Sequence, residues 1–159
     1  MAEACFCSPG RLRGLIFRRV PGYAVAVMRR YTEVHAKSGI DADLPAIECW
    51  ENQFPGYEIH ISVPEYTAIC PKTGLPDFGA IEIDYVPDRW CLELKSLKEY
   101  VTAYRNLGIF YENAVNRILR DLVSAAMPIR ITVRGRFTPR GGIQSTVEAA
   151  YQRPRKRKK

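Results

Sequence analysis

Histidine is scarce in this chain: His35 and His60 are the only two among 159 residues. Two imidazoles without partner ligands at metal-binding spacing give no metal centre. The five cysteines, Cys5, Cys7, Cys49, Cys70 and Cys91, are odd in number and include no CxxC pair, so neither a zinc site nor a disulfide framework is indicated. Reduced thiols in a cytoplasmic setting fit the pattern. Long apolar runs are lacking as well. No stretch approaches the ~18 apolar residues of a membrane helix. The segment from Leu12 to Val27 is broken by Arg13, Arg18, Arg19 and Pro21 before the ~7 apolar residues of a signal-peptide core accumulate. What remains, 47% apolar and 26% charged, is the balance of one ordinary globular domain, with no second domain required.

The formal net charge of +7 would suggest a nucleic-acid partner if it were spread over a surface. Its distribution argues otherwise. From Met28 to Gln152 there are 14 lysines and arginines against 16 acids, a net of −2, while residues 1–27 contribute +3 and residues 153–159 contribute +6. The basicity belongs to the ends. The run from Arg153 to Lys159 is either a solvated, disordered tail or an arm that meets RNA or an anionic surface. Residues 1–27 mix Cys, Arg, Pro and Gly without strand or helix period, and Met28 opens a more regular sequence. They are expected to be a disordered extension, with Met28 a candidate start, followed by one domain over 28–152 and the basic tail over 153–159.

Within that domain, Arg29 to Pro55 reads loosely, with turn signals at 41–45 and 52–56 and Trp50 expected to anchor on the core. Tyr57, Ile59, Ile61 and Val63 alternate with polar residues, a strand with one wet face that Pro64 is expected to end. A second strand is expected from Ile81 through Ile83 and Tyr85, pairing antiparallel with the first across a turn-rich loop. The period then becomes helical: Leu97, Val101 and Tyr104 form one stripe, and Ala114, Val115, Ile118, Leu119, Leu122 and Val123 form another. Asn113, Asn116, Arg117, Arg120 and Asp121 are assigned to the polar face of the second helix. Alternation returns at 129–133 and 143–149, a hairpin around Gly141-Gly142. The order β-β-α-α-β-β predicts an α+β fold, an antiparallel sheet with two helices on one face. Four strands leave two edges to be covered, and closure into a larger oligomeric barrel would do this.

Three clusters carry chemistry. Cys70, in the loop Cys70-Pro71-Lys72-Thr73-Gly74-Leu75-Pro76-Asp77, is either an inert small hydrophobe or a thiol nucleophile, with the Lys72 charge favouring thiolate and Asp77 handling protons. The segment Glu93-Leu94-Lys95-Ser96-Leu97-Lys98 is either a charged helix start or a place where the lysines and the helix N-terminus receive phosphates. Glu112, beside Phe110 and Tyr111, either complements the helix dipole or clamps the N–H edge of a purine-like ring.

Taken together, Cys70 to Phe78, Glu93 to Tyr100, Tyr104-Arg105-Asn106, Phe110-Tyr111-Glu112 and Asn116-Arg117-Ile118 resemble the NADPH-dependent nitrile reductases that make 7-aminomethyl-7-deazaguanine (preQ1), the QueF family in its short single-module form. The resemblance extends from about Arg29 to Tyr151. It implies the tunnelling fold, whose unit has the same β-β-α-α-β-β order, assembled into barrels, commonly a decamer of two stacked pentamers with sites at subunit interfaces. It implies that Cys70 attacks the nitrile of 7-cyano-7-deazaguanine (preQ0) to form a thioimidate, with Asp77 donating the proton. Lys95, Ser96 and Lys98 would face the NADPH phosphates, and Glu112, with Tyr111 and Glu93, would bind substrate. Glu93 also falls within the cofactor motif. Tyr111 departs from the family, where a histidine is expected, and a phenol does not titrate near neutrality. The rival expectations are an amidine-forming, archaeosine-type enzyme acting on preQ0 already in tRNA, or a non-catalytic basic RNA-binding domain reading RNA through the tail.

Overall fold

The structure, a computed structural model, describes residues 31–154 and, for the backbone alone, 15–20 and 23–28. The chain divides into two units, one ending at Glu33 and one running from Val34. In the first, β1 (Leu15–Val20) and β2 (Tyr23–Met28) pair antiparallel with each other. This corrects the reading that residues 1–27 hold no strand. Pro21-Gly22 between the two segments is a turn signal, and each strand is too short for its period to stand out. The rest of the expected extension, 1–14 and 21–22, and the tail beyond Pro154 lie outside the described residues.

The division falls at the start of α1 (Glu33–Lys37), after which the second unit runs β3 (Cys49–Glu51), β4 (Ile59–Ile69), β5 (Pro76–Val86), β6 (Trp90–Leu92) and α2 (Leu94–Thr102), which tightens into a 3-10 turn over Ala103–Asn106. It continues with α3 (Tyr111–Ala126), β7 (Arg130–Phe137) and β8 (Thr146–Gln152). The main sheet is antiparallel in the order β4-β5-β7-β8, and β3 and β6 make a small ribbon beside it. The expected order is therefore present as β4-β5-α2-α3-β7-β8. On β5 and β7, Ile81, Ile83, Tyr85, Ile131, Val133 and Phe137 all turn inward, where they bury against Leu97, Tyr100, Val101 and Tyr104 on one side and Val115, Ile118 and Leu122 of α3 on the other. Alternate positions carry the charges of the outer face, including Arg134, whose guanidinium lies 2.6 Å from Glu148 and 3.2 Å from Glu82.

Five expectations are corrected. Pro64 does not end β4: the strand passes through it by a bulge between Val63 and Tyr66, so inward residues change from Ile59, Ile61 and Val63 to Tyr66 and Ala68. β4 is an edge strand, where a proline without an N–H is tolerated. The second strand begins at Pro76 rather than Ile81, which puts Asp77 on a strand instead of in a loop. Trp50 is 51% exposed and does not anchor the core, and Ile143, expected on the returning strand, is 77% exposed and precedes it. Trp50 alternates with the inward Cys49, and Ile143 lies in the hairpin loop before β8. Arg117 is buried on α3, donating to the carbonyl oxygens of Gly39 and Ala42 and pairing with Asp121 at 3.3 Å, so its charge is matched within the fold. Asp121 in turn accepts from the Tyr100 hydroxyl at 2.8 Å.

Close packing beneath the site depends on Gly79, which pairs with Phe137 across β5 and β7. A Cβ there would stand 2.5 Å from the Arg136 carbonyl oxygen and 3.1 Å from the Phe137 Cα. Backbone cannot move aside as a side-chain tip can. Gly79→Ala is expected to lower stability by about 1–3 kcal/mol, read as a fall in the urea midpoint with an unchanged m-value.

Candidate active site

Cys70 follows β4 directly and opens the six-residue turn into β5. The Cys70 N–H donates to the Leu75 carbonyl and the Gly74 N–H donates to the Cys70 carbonyl, each at 2.9 Å. Gly74 has φ +68°, the left-handed region that glycine enters at no steric cost. The turn thus curls around the sulfur, which receives hydrogen bonds from the Thr73 hydroxyl and from the backbone N–H groups of Thr73 and Lys72. Burial raises the Cys70 thiol, these hydrogen bonds outweigh it, and the thiol ends below its ordinary value although the Asp77 charge also raises it. Thiolate is the nucleophilic form. The stabilisation comes from backbone N–H groups and Thr73 where the sequence suggested the Lys72 ammonium.

The far side of the turn is fixed by Ile69. Its N–H donates to the Leu107 carbonyl at 2.9 Å and its carbonyl accepts from Ile109 at 3.0 Å. This bridge ties the cysteine turn to the segment that enters α3 and so places Tyr111 beside it.

Asp77 is 3% exposed, on the inward face of β5 with Gly79 and Ile81. Its Oδ1 accepts from the Tyr111 hydroxyl at 2.7 Å and lies 2.8 Å from Arg140 Nη2. Arg140 also donates to the Pro76 carbonyl. The Tyr111 ring stacks on Phe137 with centroids 3.7 Å apart and planes 10° from parallel. Burial, and then the hydrogen bond to Asp77, push the Tyr111 phenol up to about 12, so it remains a donor throughout the physiological range. Cys70, Asp77 and Tyr111 therefore meet within one chain. Glu112, next along α3, is exposed. Asn116 donates to its backbone carbonyl at 2.8 Å, and its carboxylate makes no hydrogen bond or ion pair with the described residues.

The second cluster is elsewhere. Glu93 is the N-cap of α2, its carboxylate accepting from the Lys95 and Ser96 N–H groups at 2.7 Å each. Those two hydrogen bonds, Ser96 first, hold Glu93 below the usual carboxylate range. The cap thus occupies the Lys95 and Ser96 amides, two of the donors that a phosphate at a helix N-terminus would use. Ser96 is buried, its hydroxyl donating to the Glu93 carbonyl and accepting from the Glu48 N–H, both at 3.0 Å. Lys95 and Lys98 are exposed. A groove of about 420 Å³ runs between β4 and α2, lined at one end by Ile61, Leu94 and Lys98 and at the other by Thr67 and Arg105. Ile61 to Ile69 is eight residue steps of strand, roughly 26 Å at ~3.3 Å per residue. Lys98 lines the groove along this span, and Cys70 follows its end.

Sequence reading missed Thr73, Phe137 and Arg140 as members of the site. Arg140 stands in a Pro/Gly loop that signals only a turn, 63 residues from Asp77 in sequence, and no spacing rule joins the two.

A hydrogen-bonded thiol and a buried carboxylate thus stand together on an antiparallel α+β sheet. The chain belongs to the QueF-like protein family, whose model matches residues 76–156. Among curated relatives, the NADPH-dependent 7-cyano-7-deazaguanine reductase of Elusimicrobium minutum (strain Pei191) is 57% identical over 124 residues, 77% of this chain and 94% of the relative. The reductase of the same name from Chlorobaculum tepidum is 55% identical over 109 residues, 67% of this chain and 93% of the relative. Among solved structures, the archaeosine synthase QueF-Like in the apo form matches with a TM-score of 0.57 at 20% identity, covering 62% of this chain and 95% of that one, a likeness of fold. No helix of the described residues is long and apolar enough to cross a membrane.

The thiols should differ in reactivity. Cys91 is fully buried, and burial, then the neighbouring Cys91, raises the Cys49 thiol. Iodoacetamide at neutral pH is expected to label Cys70 before Cys49 and Cys91, as read by peptide mass spectrometry. Thr73→Val, which removes one donor to the sulfur, should move the midpoint of the Cys70 alkylation profile to higher pH; an unmoved midpoint would show that the hydroxyl does not stabilise the thiolate.

Proposed function

We propose that this chain is a cytoplasmic reductase that converts the nitrile of 7-cyano-7-deazaguanine (preQ0) to the aminomethyl group of preQ1 with two NADPH, within queuosine tRNA-modification biosynthesis. The observation that carries the reading is the hydrogen-bonded Cys70 thiol beside the buried Asp77, in a chain whose relatives bear that reductase's name.

Asp77 takes the Cys70 proton, and the thiolate sulfur attacks the nitrile carbon, forming a C–S bond as one π bond of the triple bond opens. The proton returns from Asp77 to the nitrile nitrogen, giving a neutral thioimidate and regenerating the carboxylate. NADPH, when bound, would supply the hydrides for reduction at that carbon, one as the C–S bond breaks and one to the released imine, whose nitrogen takes the remaining proton from water. Cys70 leaves as thiolate, received again by the N–H groups of Lys72 and Thr73. Glu112 accepts hydrogen bonds from the deazaguanine edge, and Tyr111 acts on Asp77 from its hydroxyl.

Lys95 and Lys98 fit the cofactor phosphates because they are exposed cations on the first turns of α2. Ser96 and Glu93 support them by capping and bracing the helix, with their own polar groups already engaged.

Lys98 lines the groove beside β4 and Cys70 follows the end of that strand, a separation that favours a site completed by a second copy of the chain. Strands β4 and β8 each have a neighbour on one side only, so joining β8 of one copy to β4 of the next would satisfy both edges and close a tunnelling-fold barrel. A decamer of two pentamers is the assembly we expect. The rival amidine-forming reaction in tRNA is disfavoured by the Glu93 to Tyr100 segment and by the names of the closely similar relatives. A basic RNA-binding module gives no role to the Cys70 turn.

Purified protein with preQ0 and NADPH is expected to lose nicotinamide absorbance at two NADPH per amine formed; no oxidation would sink the reading. Cys70→Ala should abolish both turnover and the covalent adduct seen by mass spectrometry. Asp77→Asn should slow turnover by about 100-fold or more. Removing residues 153–159 should leave turnover unchanged, whereas a large loss would favour an RNA role. Co-expressed Cys70→Ala and Lys95→Ala/Lys98→Ala chains, each inactive alone, should regain activity as mixed oligomers. Failure to complement would place the thiol and the cofactor lysines of each site in one chain.

A further inference from the structure

The hairpin loop between β7 and β8 delivers a cation to the carboxylate that the mechanism uses. Arg140 is 41% exposed at its side chain, yet its Nη2 reaches the nearly buried Asp77 Oδ1 at 2.8 Å and also serves the Pro76 carbonyl. The loop is held in place on both sides: the Arg140 and Ile143 backbones exchange two hydrogen bonds of 3.0 Å, and the Thr138 N–H donates to the Phe78 carbonyl at 2.9 Å. Tyr111 approaches the same carboxylate oxygen from α3 at 2.7 Å. Both donors therefore converge on Oδ1, and Oδ2 accepts no hydrogen bond from the described residues.

We propose that Arg140 is a positioning residue for the reaction: with Tyr111 it grips Oδ1 of Asp77, supplies the counter-charge beside Cys70, and leaves Oδ2 as the oxygen that exchanges the proton with the thiol and the nitrile nitrogen. A carboxylate held by two donors on one oxygen has one rotamer, so its second oxygen has one direction. Proton transfer needs that fixed direction, because a displacement of about an ångström removes much of the benefit of a placed acid or base. A single guanidinium nitrogen, Nη2, serves both Asp77 Oδ1 and the Pro76 carbonyl, which ties the carboxylate to the start of its own strand.

The charged and titratable groups around the pair are Lys72 on the turn, Asp77 and its Arg140 partner, Tyr111 from α3, and Tyr66 from β4. The Asp77 charge raises the Cys70 thiol, and Arg140 offsets that charge. This gives a test that does not use the nitrile. In Arg140→Ala, the midpoint of the pH profile for Cys70 alkylation by iodoacetamide should move upward. In Arg140→Lys it should stay near wild type, and in the Arg140→Ala/Asp77→Asn double variant the upward movement should be gone. An unmoved midpoint in Arg140→Ala would overturn the proposal.

The catalytic part rests on the reductase reading and is tested separately. At saturating preQ0 without NADPH, Arg140→Ala is expected to form the Cys70 adduct about 10- to 100-fold more slowly, with partial recovery in Arg140→Lys. Binding of preQ0, measured calorimetrically in the Cys70→Ala background, should change by less than about threefold when Arg140→Ala is added. A loss lying wholly in binding would overturn it by making Arg140 a substrate contact. Should the wild type form no adduct at all, the reductase reading fails, and the alkylation profiles still decide whether Arg140 governs the Cys70–Asp77 pair.

Discussion

A carboxylate at a core-facing sheet position is an expensive group to bury, and the architecture around Asp77 follows from that cost. An uncompensated buried charge costs several kcal/mol, so the fold must bring partners to it. Arg140 comes from the β7–β8 loop and Tyr111 from the first turn of α3, and both meet one oxygen. Three segments distant in sequence are thereby fixed relative to a single atom. The Tyr111–Phe137 stack, worth about 0.5–1.5 kcal/mol beyond its buried area, extends this anchoring into β7. The hydrogen-bonded bridge at Ile69 extends it into β4.

The same arrangement creates a conflict at Cys70 that the turn resolves. A thiol near a carboxylate is pushed toward its neutral form, as is any thiol removed from water. Both effects act here, yet the balance goes the other way because three hydrogen-bond donors of the turn face the sulfur. Backbone N–H groups suit this role because they are fixed by Gly74 and the two 2.9 Å turn bonds. They need no mobile ammonium and lose no side-chain entropy in forming the contact. The chemistry of the site is thus set by the conformation of six residues, and that conformation is set by the ends of two strands.

Much of this was legible in the sequence where a simple period persists. The alternation of Ile81, Ile83 and Tyr85 and the stripes of both helices mark the core correctly, and the Gly141-Gly142 hairpin and the antiparallel pairing across the cysteine loop stand as expected. Legibility ended where the period changes phase. The bulge after Val63 moves the inward positions to Tyr66 and Ala68, so a strand interrupted in pattern is continuous in space. Asp77 appeared to sit in a loop for the related reason that Pro76 and Gly79 mask the start of β5. Arg117 looked like a surface residue because its partners are the carbonyls of Gly39 and Ala42, and backbone acceptors leave no trace in sequence. Arg140 was illegible because an ion pair between two loops or strand ends has no periodicity at all.

Distance along the sheet argues what one chain does alone. Cys70, Asp77 and Tyr111 stand together within one chain, while Lys98 lines the groove where α2 and its 3-10 end run beside β4. The Glu93 cap cannot be released cheaply to reach elsewhere, because it holds two amides that would otherwise be orphaned. The sheet meanwhile leaves β4 and β8 with a neighbour on one side only, so the outward backbone groups of both strands must find partners beyond the sheet.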